Sequence, residues 1–503
     1  MNANLAVNVD ATAAAHPARP AVILDSVVLT YAELARSVRQ LAGWLRDQGV
    51  GSGDRVAIML PNLPSFPVIY YAALRLGAVV VPMNPLFRRR EIQYYLEDSE
   101  ARLIAAMPGE EVQAAVEATG AQLLEVGPAG LPDGLVGPGA TSSPVDEVAE
   151  RAGDDTAVIL YTSGTTGRPK GAELTHDNLR TNLDTTTETL LHLDETDVVM
   201  GCLPLFHVFG MTCAMNTAFA RGAALTLVPR FDPVKALEVI QRDRVTVFMG
   251  VPTMYNALLT AAAAADSPPD LSTLRLAVSG GASLPLEVMR RFEETFGASI
   301  LEGYGLSETS PVASFNHPDR ERKAGSIGIS VRGVEMKLVT PDGSEVGPDD
   351  GETVGEIFIR GENIMKGYWG KPEATAEAID SDGWFRSGDL ARRDADGFYF
   401  IVDRTKDLII RGGLNVYPRE VEEVLYEHPA VAEVAVVGVP HPELGEEIAA
   451  YVVRRPGAEV TEAELVEHVR NLVAPYKYPR TVTFIDELPK GATGKILKRE
   501  LRP

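Results

Sequence analysis

A segment rich in glycine and hydroxyl side chains, YTSGTTGRPKG at 161–171, follows the apolar run 157–160. Glycine lets backbone N–H groups turn toward an anion, and hydroxyl side chains add further hydrogen-bond donors. The composition and the closing lysine therefore predict a loop that wraps phosphate groups at the end of a strand. The residues of this loop that could contact phosphate are Thr162, Ser163, Gly164, Thr165, Thr166, Gly167 and Lys170.

The segment does not have the spacing of a kinase-type P-loop. That pattern, G-x-x-x-x-G-K-[ST], needs glycine immediately before the lysine, and Pro169 occupies that position. An ordinary turn is the alternative structure, because Gly, Ser and Thr are common in turns. From these residues alone, a phosphate site and a simple turn both stay open.

Length and charge limit the classes of protein that could use such a loop. The chain has 503 residues, enough for several lobes, and 45% of them are hydrophobic, as in packed globular proteins. The net charge is −23, whereas binding to a nucleic acid backbone requires a basic surface. We therefore expect no nucleic acid among the partners.

The number of cysteines and the length of the hydrophobic runs indicate the cellular compartment of the protein. Cys202 and Cys213 are the only cysteines, and they lack the spacing of a disulfide framework or a zinc site, which favours a reducing compartment. The first 20 residues lack the basic start and apolar core of a secretory signal, and no run of 18 apolar residues occurs. We expect a soluble, cytoplasmic protein without a transmembrane segment.

The elements that must position the loop alternate between helix and strand. Residues 30–49 predict a helix with Thr30 and Glu33 spaced as a capping box and Gly49 at its end. A buried strand, a second helix and a second strand are predicted at 54–62, 65–78 and 79–85. Such alternation predicts layered α/β architecture with largely parallel sheets.

The C-terminal part has a different pattern. Residues 431–453 suggest two strands around a turn containing Pro and Gly, and a helix near 461–473 and a strand at 481–486 follow. We therefore predict an α/β protein with a large, multi-lobed N-terminal domain of layered sheets, residues 1–403, and a small α+β C-terminal domain, residues 404–503. The Gly- and Pro-rich stretch 127–144 is interpreted as a surface connector.

Six further segments accompany the loop at 161–171 in a fixed order. They are PLFHVFG at 204–210, SGGASL at 279–284, EGYGLSETS at 302–310, GWFRSGDLA at 383–391, DRTKDLIIRGGLNVYPREVE at 403–422 and PKGATGKILKREL at 489–501. Together these segments resemble the adenylate-forming family of acyl-CoA synthetases, luciferases and adenylation domains of peptide synthetases. The resemblance covers nearly the whole chain from about residue 30, and it is nearest to the fatty-acyl and aryl-acyl CoA ligases.

The resemblance implies an AMP-forming ligase that uses ATP, Mg²⁺ and coenzyme A. In the first step a carboxylate attacks the α-phosphate of MgATP, which gives an acyl-adenylate and pyrophosphate. In the second step the thiol of coenzyme A attacks the acyl carbon and releases AMP. Domain 404–503 would be a mobile lid that turns about Lys406 between the two steps.

The family's nucleotide-binding motifs match positions along the whole chain. The loop 162–170 would hold the β- and γ-phosphates, where preorganised donors are worth about 3 to 4 kcal/mol each. Glu308 matches a Mg²⁺-associated carboxylate, and Asp389 matches the carboxylate that binds both ribose hydroxyls. The other matched nucleotide positions are Gly281, Ala282, Glu302, Gly303, Tyr304, Ser307, Arg404 and Asn415, and the family usually has Thr where Ser307 stands.

Lys495 and His207 match the family's catalytic positions. Lys495 would bridge the α-phosphate and the substrate carboxylate, a role suited to a flexible ammonium that delivers one point charge and then withdraws. His207 matches an aromatic gate that opens the path of the thiol. The neighbouring Lys498 and Arg499 are expected to lie in solvent.

Coenzyme A would be bound by residues of both domains. Gly412 and Gly413 match a narrow tunnel for pantetheine, since only glycine permits such close approach of the backbone. Arg230 matches a basic position that contacts the nucleotide end of coenzyme A in some relatives.

Small or apolar side chains occupy the matched acyl-pocket positions, which favours a hydrophobic acid. These positions are Val208, Phe209, Cys213, Gly280, Leu306 and Val312. A medium- or long-chain fatty acid is the preferred interpretation, and a cinnamate-like aryl acid or a small branched acid are alternatives. Transient contact with a membrane that supplies a lipid substrate stays open, as does the oligomeric state.

Three other functions share part of this pattern. An amino-acid adenylating enzyme would need an acidic residue near 206–209 to bind the substrate ammonium, and that segment contains none. A luciferase-type oxygenase carries the same motifs and stays open. A non-catalytic ATP sensor would have lost site residues, whereas Lys495 and Glu308 are present.

Overall fold

The computed structural model describes residues 2–127, 142–162, 168–348 and 350–501. Its α-helices are α1 Val7–Ala15, α2 Tyr31–Asp47, α3 Ser65–Arg75, α4 Arg89–Ser99, α5 Glu110–Thr119, α6 His176–Thr185, α7 Thr217–Arg221, α8 Pro233–Arg242, α9 Pro252–Ala264, α10 Leu286–Phe296, α11 Pro372–Ala378, α12 Pro418–Tyr426 and α13 Glu462–Arg470. Two π-helical segments, Thr186–Leu191 and Phe209–Asn216, and two short 3₁₀ turns, Ser307–Thr309 and Lys498–Glu500, complete the helical structure of these ranges.

The strands follow the same chain order. They are β1 Pro20–Leu24, β2 Val27–Thr30, β3 Arg55–Met59, β4 Val79–Pro82, β5 Ala101–Ala106, β6 Gln122–Glu125, β7 Thr156–Thr162, β8 Lys170–Thr175, β9 Val198–Gly201, β10 Ala224–Leu227, β11 Val247–Gly250, β12 Leu276–Ser279, β13 Ile300–Gly305, β14 Val312–Phe315, β15 Ile329–Ser330, β16 Val334–Val339, β17 Gly355–Gly361, β18 Gly367–Tyr368, β19 Phe385–Arg393, β20 Tyr399–Arg404, β21 Ile409–Arg411, β22 Leu414–Val416, β23 Val431–His441, β24 Gly445–Arg454 and β25 Thr481–Phe484.

A nine-stranded sheet in the order β15-β14-β13-β12-β11-β9-β10-β1-β2 is the largest layer. Its central strands from β13 to β1 are parallel, because α8, α9 and α10 return the chain to the same edge between successive strands. The carboxyl ends of β9, β11, β12 and β13 therefore meet at one edge. Ligands in such sheets bind outside the carboxyl ends of the strands.

A seven-stranded sheet, β18-β8-β7-β4-β3-β5-β6, lies beside it. The strands from β7 to β6 are parallel, and their apolar runs are buried, as expected for strands covered on both faces. At the other edge, β7 and β8 are antiparallel, with Thr162 opposite Lys170. The ends of the predicted phosphate loop are therefore held together by adjacent strands.

Two smaller sheets complete the sheet structure of the described ranges. One is antiparallel, in the order β16-β17-β19-β20, and β20 ends at Arg404. The other, β22-β21-β24-β23 with β25 beside β24, begins at Ile409 and is covered by α12 and α13. A separate hydrophobic core between residues 409 and 482 supports this C-terminal unit. Residues 405–408 thus connect two independently packed sheets.

The α/β class and the two-part architecture are confirmed, and local predictions hold at the N-terminus. Helix α2 begins at the predicted capping box, where Thr30 Oγ1 accepts from the Glu33 N–H at 3.2 Å and the Glu33 carboxylate accepts from the Thr30 N–H at 2.8 Å. The expectation of largely parallel sheets is met by the two large sheets, whereas the β16–β20 sheet is antiparallel. In the part of the chain that the structure describes, we find no helix with the length and apolar character needed to cross a membrane.

Candidate active site

The loops that follow β9, β12 and β13, together with Met249 of β11, line a cavity of about 800 Å³. The C-terminal unit closes this cavity from above with its turn at 491–497. Most of the predicted site residues line it, although they come from distant parts of the sequence. Those that do are Thr162, Lys170, His207, Val208, Phe209, Cys213, Gly280, Gly281, Gly303, Tyr304, Leu306, Ser307, Glu308, Val312, Asp389, Arg404, Lys406 and Lys495.

A second cavity of about 660 Å³ lies between the large part and the C-terminal unit. It shares Tyr304, Asp389 and Lys495 with the first cavity, and it adds Ala282 and Glu302. The two spaces therefore meet at the residues that the sequence assigns to the nucleotide.

Asp389 is held by two partners at the junction of these cavities. Residues 389 and 404 are opposite each other on β19 and β20, which brings Arg404 Nε to 3.0 Å from Asp389 Oδ1. The Tyr304 hydroxyl donates to Asp389 Oδ2 at 2.7 Å. Only 4% of Asp389 is exposed, and the positive charge of the Arg404 guanidinium offsets the free-energy cost of burying this carboxylate. Each carboxylate oxygen can accept more than one hydrogen bond, so ribose hydroxyls can still bind here.

Glu308 occupies the other end of the site, next to the phosphate loop. Its Oε1 accepts from the Thr162 hydroxyl at 3.1 Å and from the Tyr368 hydroxyl at 3.0 Å, and 8% of the residue is exposed. The Lys170 ammonium lies 5.1 Å from the centre of the Tyr368 ring. A carboxylate and an ammonium are thus fixed within one cluster, where a triphosphate and a cation would both find a partner.

This cluster is suited to Mg²⁺ bound together with phosphates. Within the described ranges, no group of three or more ligand-type side chains is present that could hold a metal by itself. Mg²⁺ usually binds proteins through one or two carboxylates and takes its remaining ligands from water and substrate phosphates. The carboxylate of Glu308, which lies beside Thr162 and the Lys170–Tyr368 pair, fits this mode.

Lys495 enters the cavity from the C-terminal unit. Burial lowers the pKa of Lys495 to about 8, and the positive charge of Arg404 contributes to the decrease. The side chain is therefore charged at neutral pH but close to neutralisation. An anionic ligand would raise this pKa again, because it favours the protonated form.

His207 follows β9 and faces the same space. Burial lowers its pKa to about 4, with a smaller effect from the charge of Lys495, so the ring is neutral at physiological pH. Its Nδ1 accepts from the Phe209 N–H at 3.4 Å. A neutral ring beside a cation is compatible with the gate role, which stays a prediction.

Glu302 lines the second cavity and also supports the loop after β12. Its Oε1 accepts from the Leu284 N–H at 3.1 Å, and 1% of the residue is exposed. Burial raises the pKa of Glu302 to about 7. The backbone at Gly281 turns into the left-handed region, with φ of +78°, which brings residue 281 close to Lys495.

The apolar end of the first cavity is narrowed by two aromatic rings. A Cβ atom at Gly280 would lie 3.2 Å from the Phe209 ring, and one at Gly303 would lie 2.5 Å from the Phe315 ring. Glycine at these positions therefore lets the rings approach the backbone. The lining residues that the sequence analysis missed include Thr186, Met249, Ser279, Phe315 and Tyr368.

Some predicted residues lie away from both cavities. Arg230, Gly412, Gly413 and Asn415 are exposed, and the last three belong to the hairpin between β21 and β22. Their roles toward coenzyme A and the adenylate stay predictions. The loop residues Ser163, Gly164, Thr165, Thr166 and Gly167 are outside the described ranges.

The expectation that Lys498 lies in solvent is wrong. Its ammonium is 2.7 Å from Glu422, and 20% of its side chain is exposed. The short 3₁₀ turn at the end of the chain packs against β23, which places this lysine against α12. Arg499, by contrast, is exposed as expected.

Two family models match this chain. The model described as AMP-binding enzyme matches residues 9–369, and the model described as AMP-binding enzyme C-terminal domain matches residues 420–495. The first match alone covers more than half of the chain. The chain therefore belongs to the AMP-binding enzyme family, as its motifs suggested.

Two similar proteins differ in the acid that their names give. The feruloyl-CoA synthase of Amycolatopsis sp. is 42% identical, over 97% of this chain and 96% of that protein. The long-chain-fatty-acid–CoA ligase of Bacillus subtilis (strain 168) is 37% identical, over 97% of this chain and 92% of that protein. The activity supported for this chain is that of an AMP-forming acyl- or aryl-CoA ligase with ATP and CoA as substrates.

The arrangement of the two parts matches a nucleotide-bound relative. The crystal structure of ATP-bound MatB from Rhodopseudomonas palustris is 35% identical, with a TM-score of 0.92 over 100% of this chain and 98% of that chain. The apo structure of the same protein has a TM-score of 0.81 over the same shares of the two chains. The sequence identity is the same in both comparisons, so the difference in TM-score reflects a difference in conformation. The conformation of this chain is more similar to the ATP-bound structure than to the apo structure.

We expect Glu308→Gln to lower the apparent affinity for Mg²⁺ during ATP use. The amide keeps the shape but loses the charge that attracts a hard cation, so half-maximal activity should need about 10- to 100-fold more Mg²⁺. Pyrophosphate exchange measured across a Mg²⁺ titration gives this value. The control is Glu373→Gln, an exposed carboxylate on α11 outside the cavity. An unchanged Mg²⁺ titration in Glu308→Gln would remove this residue from the metal site.

We also expect adenylation to fail at alkaline pH. The pKa of Lys495 lies near 8, so above that pH the free enzyme loses the bridging cation and kcat/KM for ATP should fall about tenfold per pH unit. Arginine stays charged throughout this range, so Lys495→Arg should lack this decrease even if its maximal rate is lower. The same alkaline decrease in both proteins would assign it to another group.

Proposed function

We propose that this enzyme activates a hydrophobic carboxylic acid, with a medium- or long-chain fatty acid as the first candidate, and transfers it to coenzyme A. The observation that supports this proposal is a single cavity with a charged end and an apolar end. The basic lining residues belong to β8, β19 and the segments 404–406 and 491–497. The segments around 207–213, 278–281 and 311–315, together with Leu306, contribute small or apolar side chains and the imidazole of His207.

In the first step, the charged end would hold ATP. Thr162, Lys170 and the loop between them would bind the β- and γ-phosphates, and Asp389 would bind the ribose. A carboxylate oxygen of the acid attacks the α-phosphorus, and the bond to the β-phosphate bridging oxygen breaks, so pyrophosphate leaves. Lys495 would lie between the two reacting anions and reduce their repulsion. When Mg²⁺ is bound at Glu308, it neutralises charge on the phosphates.

The second step needs a different placement of the C-terminal unit. The thiolate sulfur of coenzyme A attacks the acyl carbon, and the bond to the AMP oxygen breaks. Gly412, Gly413 and Asn415 are exposed in the present arrangement, as expected if they reach the site only after rotation. Arg230 would contact the nucleotide end of coenzyme A, and His207 would turn aside for the thiol.

We assign the binding of ATP and the acyl group to a large domain, residues 1–403. A small lid domain, residues 404–503, carries Lys495, and Lys406 is the pivot between the two domains. The short connection 405–408 between β20 and β21 supports this assignment.

We also place the reaction in the cytoplasm. In support, Cys202 and Cys213 are both unpaired and buried, which suits a reducing compartment.

A cinnamate-like aryl acid is the second candidate, and a specific observation favours it. The hydroxyls of Thr186 and Ser279 have no hydrogen-bond partner in the described part of the chain, although both residues line the cavity and are buried. Leaving a buried hydroxyl unpaired costs about 1 to 3 kcal/mol. An aromatic acid with hydroxyl or methoxy substituents would pair with them, whereas a saturated chain would not.

A panel of acids should separate the two candidates. For a fatty-acid enzyme, kcat/KM should rise by at most about fourfold per methylene, or about 0.8 kcal/mol, until the pocket is full. For an aryl-acid enzyme, ferulate should exceed cinnamate by about tenfold, because its oxygen substituents pair with the orphan hydroxyls. Release of AMP and acyl-CoA from ATP and coenzyme A gives both series. High activity on malonate or on an amino acid would contradict both candidates.

Two variants test whether the hydroxyls of Thr186 and Ser279 contact the substrate. Thr186→Val and Ser279→Ala remove the hydroxyls with little change in volume. If an aryl acid is the substrate, they should reduce the preference for ferulate over cinnamate and leave the activity on cinnamate nearly unchanged. Equal loss on both acids would show that the hydroxyls do not contact the substrate.

We expect Lys406→Pro to separate the two half-reactions. Proline fixes φ near −65° and so restricts rotation at the proposed pivot. Pyrophosphate exchange should be retained, because the present arrangement already holds Lys495 in the cavity, whereas thioester formation should fall. Lys406→Ala, which removes the charge but not the rotation, is the control. Normal rates in both half-reactions of Lys406→Pro would place the pivot elsewhere.

A further inference from the structure

Lys495 belongs to a compact turn whose own hydrogen bonds are local. The Gly491 N–H donates to the Lys495 carbonyl oxygen at 2.8 Å, and the Gly494 N–H donates to the Gly491 carbonyl oxygen at 2.9 Å. These bonds fix the shape of the turn, which travels with the C-terminal unit. They do not fix where the turn lies over the cavity, so its position depends on contacts with the large domain.

Helix α9 of the large domain supplies such a contact next to Lys495. The Thr253 hydroxyl, in the first turn of α9, donates to the Gly494 carbonyl oxygen at 3.0 Å. The fit is close, because a Cβ atom at Gly494 would lie 2.9 Å from Val251 Cγ2 and 3.1 Å from Thr253 Oγ1. The residue immediately before Lys495 is thus seated against the segment 251–253.

The same helix makes a second contact to the C-terminal unit. Asn256 lies three residues after Thr253, so the two side chains are neighbours on one helix face. The Asn256 Nδ2 donates to the Ala432 carbonyl oxygen at 3.1 Å. Both donors belong to the large domain, and both acceptors are backbone carbonyls of the unit that carries Lys495.

We propose that Thr253 and Asn256, here called the α9 latch, are positioning residues that hold Lys495 over the reacting phosphate during adenylation. The proposal rests on the bridging role assigned to Lys495 above. Rotation of the C-terminal unit moves the two carbonyls away from α9, so the latch stabilises only the adenylation arrangement. Its loss should therefore slow the first step and leave the second intact, which is not the effect of a residue that merely supports the fold.

The test compares the two half-reactions in Thr253→Val, which keeps the shape of the side chain but removes the donor. A neutral hydrogen bond of ordinary strength corresponds to about a 3- to 10-fold effect, so pyrophosphate exchange should fall by that factor. Thioester formation from supplied acyl-adenylate should stay at the wild-type rate or exceed it. Dodecanoate and ferulate serve as the acids, with their adenylates for the second step.

Three further variants control this comparison. Thr253→Ser restores the donor and should restore exchange, and Asn256→Ala should produce the same split between the half-reactions. Thr260→Val makes the same substitution at an exposed site of α9, where the hydroxyl bonds only within the helix, and should change neither step. Equal loss of both steps in Thr253→Val, or no rescue by Thr253→Ser, would overturn the proposal.

A measurement that does not depend on catalysis tests the latch independently of the bridging role of Lys495. In the absence of substrates, an amine-reactive label followed by peptide mass spectrometry reports how accessible Lys495 is. Labelling of Lys495 should rise at least about threefold in Thr253→Val, because the unlatched turn leaves the cavity more often. Unchanged labelling would refute the latch. If Lys495→Ala retains exchange, the bridging role fails instead, and the labelling result still decides whether the latch exists.

Discussion

The repulsion between a carboxylate and a triphosphate is the constraint on which this arrangement depends. Two like unit charges 4 Å apart repel by about 4 kcal/mol in surroundings of intermediate polarity, and here several phosphate charges are present. A cation between them reduces the barrier, but the same cation would occupy the path of the thiol in the second step. The proposed reaction therefore needs a charge that can be delivered and removed, and the position of Lys495 on a separately packed unit is consistent with that proposed role.

The remaining groups stay in place, and the fold explains why. Glu308 and Tyr304 lie at the carboxyl edge of the nine-stranded sheet, and Asp389 is locked to Arg404 by strand pairing. Fixed partners keep these groups oriented without reorganisation, which is the condition for strong electrostatic stabilisation. Burial lowers the pKa of Lys495 to about 8, and an anionic ligand beside it would favour the protonated, charged form. In the proposed reaction, fixed polar groups thus bind the nucleotide, while one positive charge is delivered for the first step and then withdrawn.

The sequence predicted the parts of the site that lie within short continuous motifs. Asp389, Glu308 and Lys495 each lie in a stretch whose neighbours are characteristic, and the layered α/β class followed from the alternation of periodic segments. Contacts between distant elements could not be predicted in this way. Thr253 and Ser279 are ordinary hydroxyl residues until packing brings them to the cavities, and the pairing of Lys498 with Glu422 depends on how the last turn packs.

The strength of the α9 latch has to be a compromise, because every contact that favours adenylation opposes the second step. Hydrogen bonds from neutral side chains to backbone carbonyls contribute about 0.5 to 1.5 kcal/mol each, so two of them bias the arrangement without trapping it. The ion pairs Lys490–Glu433 and Lys498–Glu422, by contrast, lie inside the C-terminal unit and move with it. These two ion pairs thus stabilise the C-terminal unit itself, while the neutral hydrogen bonds of the α9 latch contribute to how long the unit stays in the adenylation arrangement. A stronger latch would speed the formation of adenylate and delay its release to coenzyme A.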